Sequence, residues 1–323
     1  MRFKRKKISS LVLFFLIACG ISHGQNQGTS SLQFLKIIPS ARIMAMGESG
    51  VATQNDAEAP FLNPAGLAFL KDTDIRFSIV DWFIDTKIYA LSVGYFFSKY
   101  GTLGLNIVDV DYGEFVETRV DALGFIGETY NPGLTGNTFR AGAILIGLSY
   151  GRELTDRFSF GITANYIQED LYLDKMNTLM FDFGMLYNSK LKSLKFGITL
   201  KNLGPKVVYV KDKNTIPQTI LIGLSADMLS ATDNLITFSE NHRVTMAFDI
   251  SIPRDDSQKY HLGLEYALFE RYKIRLGYKV NYDIEGLSVG TGFNYKFISI
   301  DYAYNDMGEF WEPAHRFSIG LAF

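Results

Sequence analysis

The chain has a single cysteine, Cys19, and only 8 prolines in 323 residues. A lone thiol excludes an internal disulfide and a centre built from several thiolates, and scarce proline leaves backbone ladders uninterrupted. A dominant charge is missing as well. With 32 basic against 34 acidic residues, nothing suggests the basic face that a nucleic-acid partner requires. Beyond residue 24 there is no apolar run of the roughly twenty residues that a membrane-spanning helix needs. What is abundant is aromatic and small: 26 Phe, 18 Tyr and 29 Gly. Aromatic side chains favour pleated surfaces and membrane interfaces, so the composition points to strands.

The first residues read as an export signal. Met1–Lys7 is strongly basic, Ile8–Ile21 is apolar, and Ser22-His23-Gly24 places small residues before a cleavage at Gln25. Leu16-Ile17-Ala18-Cys19 also fits a lipoprotein box, in which Cys19 becomes the lipid-bearing first residue. Cleavage before Gln25 would instead leave a mature chain without cysteine.

The stretch Phe34–Phe69 does not share the pattern of the rest. Ser40 is placed to cap a short helix over Ala41–Met46, which Gly47 ends, because a hydroxyl accepts from free helix amides and glycine tolerates positive φ. Asn63 followed by Pro64 repeats the device. Between them, Gly50–Ala59 is small and polar and suits a loop. The expected organisation is a signal over residues 1–24, a helical hatch over 25–71 and a barrel over 72–323.

From Asp72 onward large apolar residues alternate with small or polar ones, the period of a strand. Ile75, Phe77 and Ile79 share a face opposite Arg76 and Ser78; later, Val244, Met246, Phe248 and Ile250 oppose Arg243, Thr245, Ala247 and Asp249. About fourteen such segments are expected, the even number of a single-chain outer-membrane barrel. Asp111–Thr138 breaks the alternation and reads as a long loop, as do Gly204–Asn214 and Asp306–Pro313. These fall on one rim, with short turns on the other, as barrels of this kind arrange them; Met228–Asn241 is long on the wrong side. A secreted two-sheet sandwich is the alternative, since alternation says only that one face is buried. Strands near ten residues, a terminal Phe323 on the apolar face, and glycines with charges on the other favour the all-β, transmembrane antiparallel barrel with the hatch inside it.

Phe34-Leu35-Lys36, Ser40-Ala41-Arg42, Met46-Gly47, Gly50-Val51-Ala52 with Asp56, and Asn63-Pro64-Ala65-Gly66-Leu67, together with the closing strands around Gly292–Lys296, Asp301–Tyr304 and His315–Phe323, resemble the PorV/PorQ group of outer-membrane proteins and, more distantly, the FadL-type transporters of hydrophobic compounds. That resemblance implies a fourteen-stranded barrel with an N-terminal hatch, in which Ala41, Arg42, Met46, Gly47, Asn63, Pro64 and Ala65 form the hatch motif. It further implies service in type IX protein secretion, as cargo shuttle or anchor of a surface protein. The alternative it carries is a passive channel for a hydrophobic small molecule. The implied partners are outer-membrane lipid and secretion-system proteins or exported cargo, with no cofactor and no nucleic acid.

Two G-x-S-x-G matches, Gly147–Gly151 and Gly286–Gly290, suggest a serine hydrolase, but that motif works only at a sharp strand-to-helix turn. Both lie on alternating strands, so neither Ser149 nor Ser288 is expected to be catalytic. His242, His261 and His315 are scattered without ligand spacing, and no metal site is expected. The inward charges Arg243, Asp249, Glu265, Arg275, Asp301 and Arg316 form the more informative set. Their mixed signs suit a salt-bridged lumen that holds the hatch; a polar conduit is the competing reading.

Overall fold

The structure, a computed structural model, describes residues 29–189, 192–209 and 212–323. The expected signal peptide and Cys19 lie outside the described residues. Fourteen antiparallel strands close into a barrel: β1 (Asp74–Asp81), β2 (Lys87–Phe97), β3 (Gly101–Ile126), β4 (Thr129–Thr155), β5 (Phe158–Asp170), β6 (Lys175–Asn188), β7 (Lys195–Leu203), β8 (Thr219–Ser230), β9 (His242–Pro253), β10 (Lys259–Leu268), β11 (Tyr272–Val280), β12 (Leu287–Tyr295), β13 (Ile298–Asn305) and β14 (Ala314–Ala322). The first strand pairs with the last, Asp74 opposite Ala322 and Asp81 opposite His315. Closure leaves no sheet edge around the wall, as a hydrocarbon environment demands.

The alternation decides which side chains face out. Phe77, Leu91, Leu148, Phe183, Ile198, Leu276 and Phe317 are exposed on the outside of the wall, while Ser78, Ser92, Asn106, Ser149, Thr163 and Ser318 are buried within. The rim carrying the longer connections is the outer one by the loop-length rule. Turns such as Thr155–Phe158 and Tyr295–Ile298 form the periplasmic rim.

Three details depart from the sequence reading. Asp111–Thr138 is not a loop, because β3 and β4 continue past the wall as a two-stranded ribbon to Ile126 and Thr129. Its strands pair through several register shifts, the largest of which leaves residues 119–122 without cross-strand partners, and those shifts scramble the alternation that would have marked a strand. The outer connection after β7 likewise holds a small hairpin, Val207–Tyr209 against Asp212–Asn214. The inward face is not small or polar throughout: toward the outer rim it turns apolar, with Val80, Ile88, Val108, Val110, Ile167 and Met180 buried against Leu32 and Phe34. The long periplasmic connection extends β8 to Ser230 and adds a two-residue parallel strand, Thr237–Phe238.

The segment before β1 threads the barrel from one rim to the other. At the outer rim Ser30 bridges Thr215 and Lys36 pairs with Asp255 at 2.8 Å; at the periplasmic rim Thr73 exchanges backbone hydrogen bonds with Phe323. In between it forms an α-helix, Ala41–Ala45, and 3-10 turns at Gln33–Lys36, Ala59–Phe61 and Pro64–Phe69. Ser40 accepts from the Ile43 amide and Asn63 from the Ala65 amide, satisfying donors that each helix start leaves free. Gly47, at φ 63°, ends the helix where a side chain would be strained.

Candidate functional site

The plug segment is seated backbone to backbone. Inside the wall a girdle of glycines lies level with it, and a Cβ at these positions would overlap the plug itself. At Gly277 it would meet the Gly47 amide, at Gly161 the Pro64 carbonyl group and at Gly290 the Ala45 side chain. Gly223 and Gly197 face Val51. The plug runs round this girdle from β12 through β7 over residues 45–51, then from β6 through β2 over residues 63–70. Ser78 and Ser318 complete the ring, Ser318 accepting from the Ala41 amide at 3.0 Å. The hatch-motif residues occupy this contact: Ala41, Met46, Asn63, Pro64 and Ala65 are buried, and the Asn63 amide group donates to Val51 and Met185 carbonyls.

The serine motifs lie on the same girdle. The Ser149 hydroxyl shares a hydrogen bond with Thr163 at 2.8 Å, and Gly151 and Gly290 give room to Leu67 and Ala45. The repeated G-x-S-x-G pattern is the alternation of a wall pressed against a plug.

Below the plug the lumen charges converge. Arg275, with no exposed side-chain surface, bridges Glu265 at 2.7 Å and Asp301 at 2.6 Å. Arg243 reaches Glu265 at 2.8 Å and Glu270 at 2.8 Å. The plug joins through Arg42, which sits 3.7 Å from Glu265 and 3.3 Å from Asp56. Arg76 closes the circuit onto Asp56, Asp74 and Asp301. Of the six expected lumen charges, four therefore meet in one network. Asp249 and Arg316 do other work: Asp249 accepts from the Val51 amide at 2.8 Å, and Arg316 donates to the Ile38 carbonyl at 3.0 Å above the Trp82 ring.

Sequence reasoning missed the partners that the plug and the outer strands contribute. Glu58, buried in the plug, accepts from Ser40 at 2.5 Å and Ser78 at 2.6 Å. Burial, and then the neighbouring Asp56 carboxylate, push its carboxyl up to about 7, against the pull of Arg76 and the two hydroxyls. Lys279 binds Glu48 of the plug at 2.7 Å and also Glu285. An inward lysine on β11 was legible as a charge needing a partner; that Glu48 would supply it was not. His261 is buried against the Tyr282 hydroxyl at 2.8 Å, whereas His242 and His315 sit outside, on Tyr266 and Tyr302.

Among the described residues, two large cavities lie on either side of the plug. The outer one, about 720 Å³, is lined by Phe34, Ile37, Leu62, Trp82 and Phe83 on one side and by Lys259, Lys279, His261 and Tyr282 on the other. The periplasmic one, about 530 Å³, is lined mainly by polar and charged groups, among them Arg42, Asp56, Arg76, Arg243, Glu265 and Lys273.

Residues 84–321 match the model of the family described as type IX secretion system membrane protein PorP/SprF. The chain belongs to this PorP/SprF family. It is an outer-membrane β-barrel of FadL-like fold. The Ralstonia pickettii toluene transporter TbuX is 12% identical, with a TM-score of 0.61 over 91% of this chain and 100% of that one. The Pseudomonas putida toluene transporter TodX is 11% identical, with a TM-score of 0.57 over 87% of this chain and 96% of that one. A Pseudomonas aeruginosa FadL homologue gives 11% and 0.50 over 94% of this chain and 99% of that one. At these identities the likeness shows the fold alone. No curated protein matches the sequence. The resemblance to PorV/PorQ pointed to the same secretion system through a different group of its barrels; the matching model is that of PorP/SprF.

Proposed function

We propose that this PorP/SprF-family barrel serves type IX secretion as a non-enzymatic scaffold, carrying exported cargo or anchoring a surface protein in the way the PorV/PorQ resemblance suggests. The family match over residues 84–321 carries the reading. The geometry supports it, because a plug held backbone to backbone by the glycine girdle and tied to the wall by Arg42 and Lys279 suits a closed support better than an open pore. Its working surfaces are then the two rims. Native detergent extraction of the tagged protein, with mass spectrometry of what co-elutes, tests it: secretion components or cargo at stoichiometric levels support the scaffold, and a barrel that always elutes alone from secreting cells contradicts it.

The apolar half of the outer cavity favours a second reading, a passive channel for a hydrophobic small molecule. Phe34, Ile37, Leu62 and Trp82 offer an apolar ligand a place beside the plug. A defined lipid-like compound recovered from the purified barrel, bound at that wall, would move the assignment there.

A further inference from the structure

The ribbon formed by the ends of β3 and β4 touches the outer cavity only at its root, through Tyr112 and Phe115. β3 pairs with β2 only as far as Asp111, and β4 pairs with β5 only from Gly142. Residues 112–126 and 129–141 therefore pair with nothing but each other among the described residues, and the ribbon presents two free edges beyond the wall. At about 3.3 Å per residue it projects on the order of 40 Å. Free edges of this length are normally blunted, because an extended segment of another chain adds to them readily.

Its surface is unlike the wall below. Val120 is 84% exposed, Phe125 74% and Ile126 71%, yet Glu114, Asp121 and Glu128 are exposed among them, a mixture that lipid would not cover. Residues 112–141 carry four acids, Glu114, Glu117, Asp121 and Glu128, against Arg119 and Arg140, for a net charge of -2, and Asp121 and Glu128 stand exposed toward the tip. The base of the ribbon is braced: Phe115, Phe139 and Tyr172 stack with ring centroids 5.5 and 4.5 Å apart. Glu117 accepts from Asn137, Thr135 and Tyr172, and chiefly the Asn137 amide group holds its carboxyl down near 2. The projecting element is thus braced at its root, net negative, and apolar at its tip.

We propose that this ribbon is a strand-addition site for a basic, extended segment of a secreted or surface protein. Backbone pairing along a free edge supplies affinity, apolar side chains on the two faces meet Val120, Phe125 and Ile126, and lysines or arginines meet Asp121 and Glu128. The proposal rests on the secretion reading for the origin of the partner, not for the physics of the edge.

The test uses the full chain in detergent and three synthetic decapeptides: one alternating Lys with Val and Tyr, one with Glu in place of Lys, and the basic peptide interrupted by two prolines. Fluorescence anisotropy should show the basic strand binding at least tenfold more tightly than both others, with hydrogen-exchange protection along residues 112–126 or 129–141. Asp121→Lys with Glu128→Lys should reduce that affinity at least tenfold while the thermal transition stays unchanged; a shortened chain joining Gly113 to Phe139 through Asn-Gly should abolish it. Equal binding of the basic and proline-interrupted peptides, full affinity after the charge reversal, or protection at another outer connection would overturn the proposal. A barrel that binds the peptide yet never co-elutes with secretion components would leave the edge intact and remove the scaffold reading.

Discussion

The two cavities on either side of the plug differ in what lines them, and the difference separates two ways of holding a plug. On the outer side the plug presents Phe34, Ile37, Ile38 and Leu62, and the wall answers over one arc with Val80, Ile88, Val108 and Ile167. Such contacts are non-directional and tolerate sliding, and on this side directed bonds hold the plug at single points, Lys36 on Asp255, Lys279 on Glu48 and Arg316 on the Ile38 carbonyl. On the periplasmic side the contacts are a chain of ion pairs, Arg243–Glu265–Arg275–Asp301–Arg76, with Arg42 and Asp56 of the plug inserted into it. These bonds fix distance and direction, and each member has partners that would be left buried and unpaired if it moved. Between the two halves the glycine girdle removes side chains altogether, so that main chain meets main chain. The plug is anchored from below, seated in the middle and packed loosely enough above to leave a cavity.

Breaking the seat should have the largest effect. Gly277→Val places a branched side chain where the Gly47 amide lies, and neither backbone can yield. We expect a loss of about 3 kcal/mol or more, read as a lower melting temperature in detergent together with protease cleavage between residues 40 and 60. Breaking the anchor comes close behind: Arg275→Ala takes the closest cation from Asp301, which keeps only Arg76 at 3.8 Å, while Glu265 retains Arg243 and Arg42, at a cost of about 3 kcal/mol for a broken buried pair. An unchanged melting temperature would mean that the network is not structural.

A change in the outer half should separate binding from stability. Ile37→Thr puts a hydroxyl on the apolar side of the outer cavity at a cost of about 1–2 kcal/mol, and should weaken uptake of an apolar dye such as N-phenylnaphthylamine severalfold while leaving co-elution with secretion components unaltered. If dye uptake is unmoved, the apolar side is only packing. The smallest effect concerns pH. Because the Glu58 carboxyl is raised from 4.5 to about 7, the folded state holds its proton more tightly than the unfolded chain does. Its contribution to stability is therefore complete below 4.5 and is lost as pH rises through 7. Glu58→Gln should raise the melting temperature at pH 8 by a few degrees, on the order of 5 °C or less, and change it little at pH 5. An equal shift at both values would show that the carboxyl is not titrating there.

The wall was legible in the sequence because a two-residue period survives in any strand that faces lipid on one side. The fourteen-strand barrel, the caps at Ser40 and Asn63 and the inward placement of Arg275 all followed from that period or from local chemistry. The ribbon did not, since its register shifts interrupt the period while its backbone pairing continues. Nor did the apolar arc of the outer lumen, because Val108 and Ile167 look inward at positions where alternation says only which face, not what that face meets. Long-range partners such as Glu48 with Lys279, 231 residues apart, leave no local trace. The glycine girdle was visible as glycines on one face; that the plug occupies their missing side chains needed the fold.

Whether the plug seals the lumen shows in the ionic current through single barrels in planar bilayers. The wild-type protein should show no steady conductance steps, whereas Gly277→Val, with the plug unseated, should open in discrete steps. Wild-type barrels that conduct as well as the variant would contradict a sealed lumen and return the molecule to the channels.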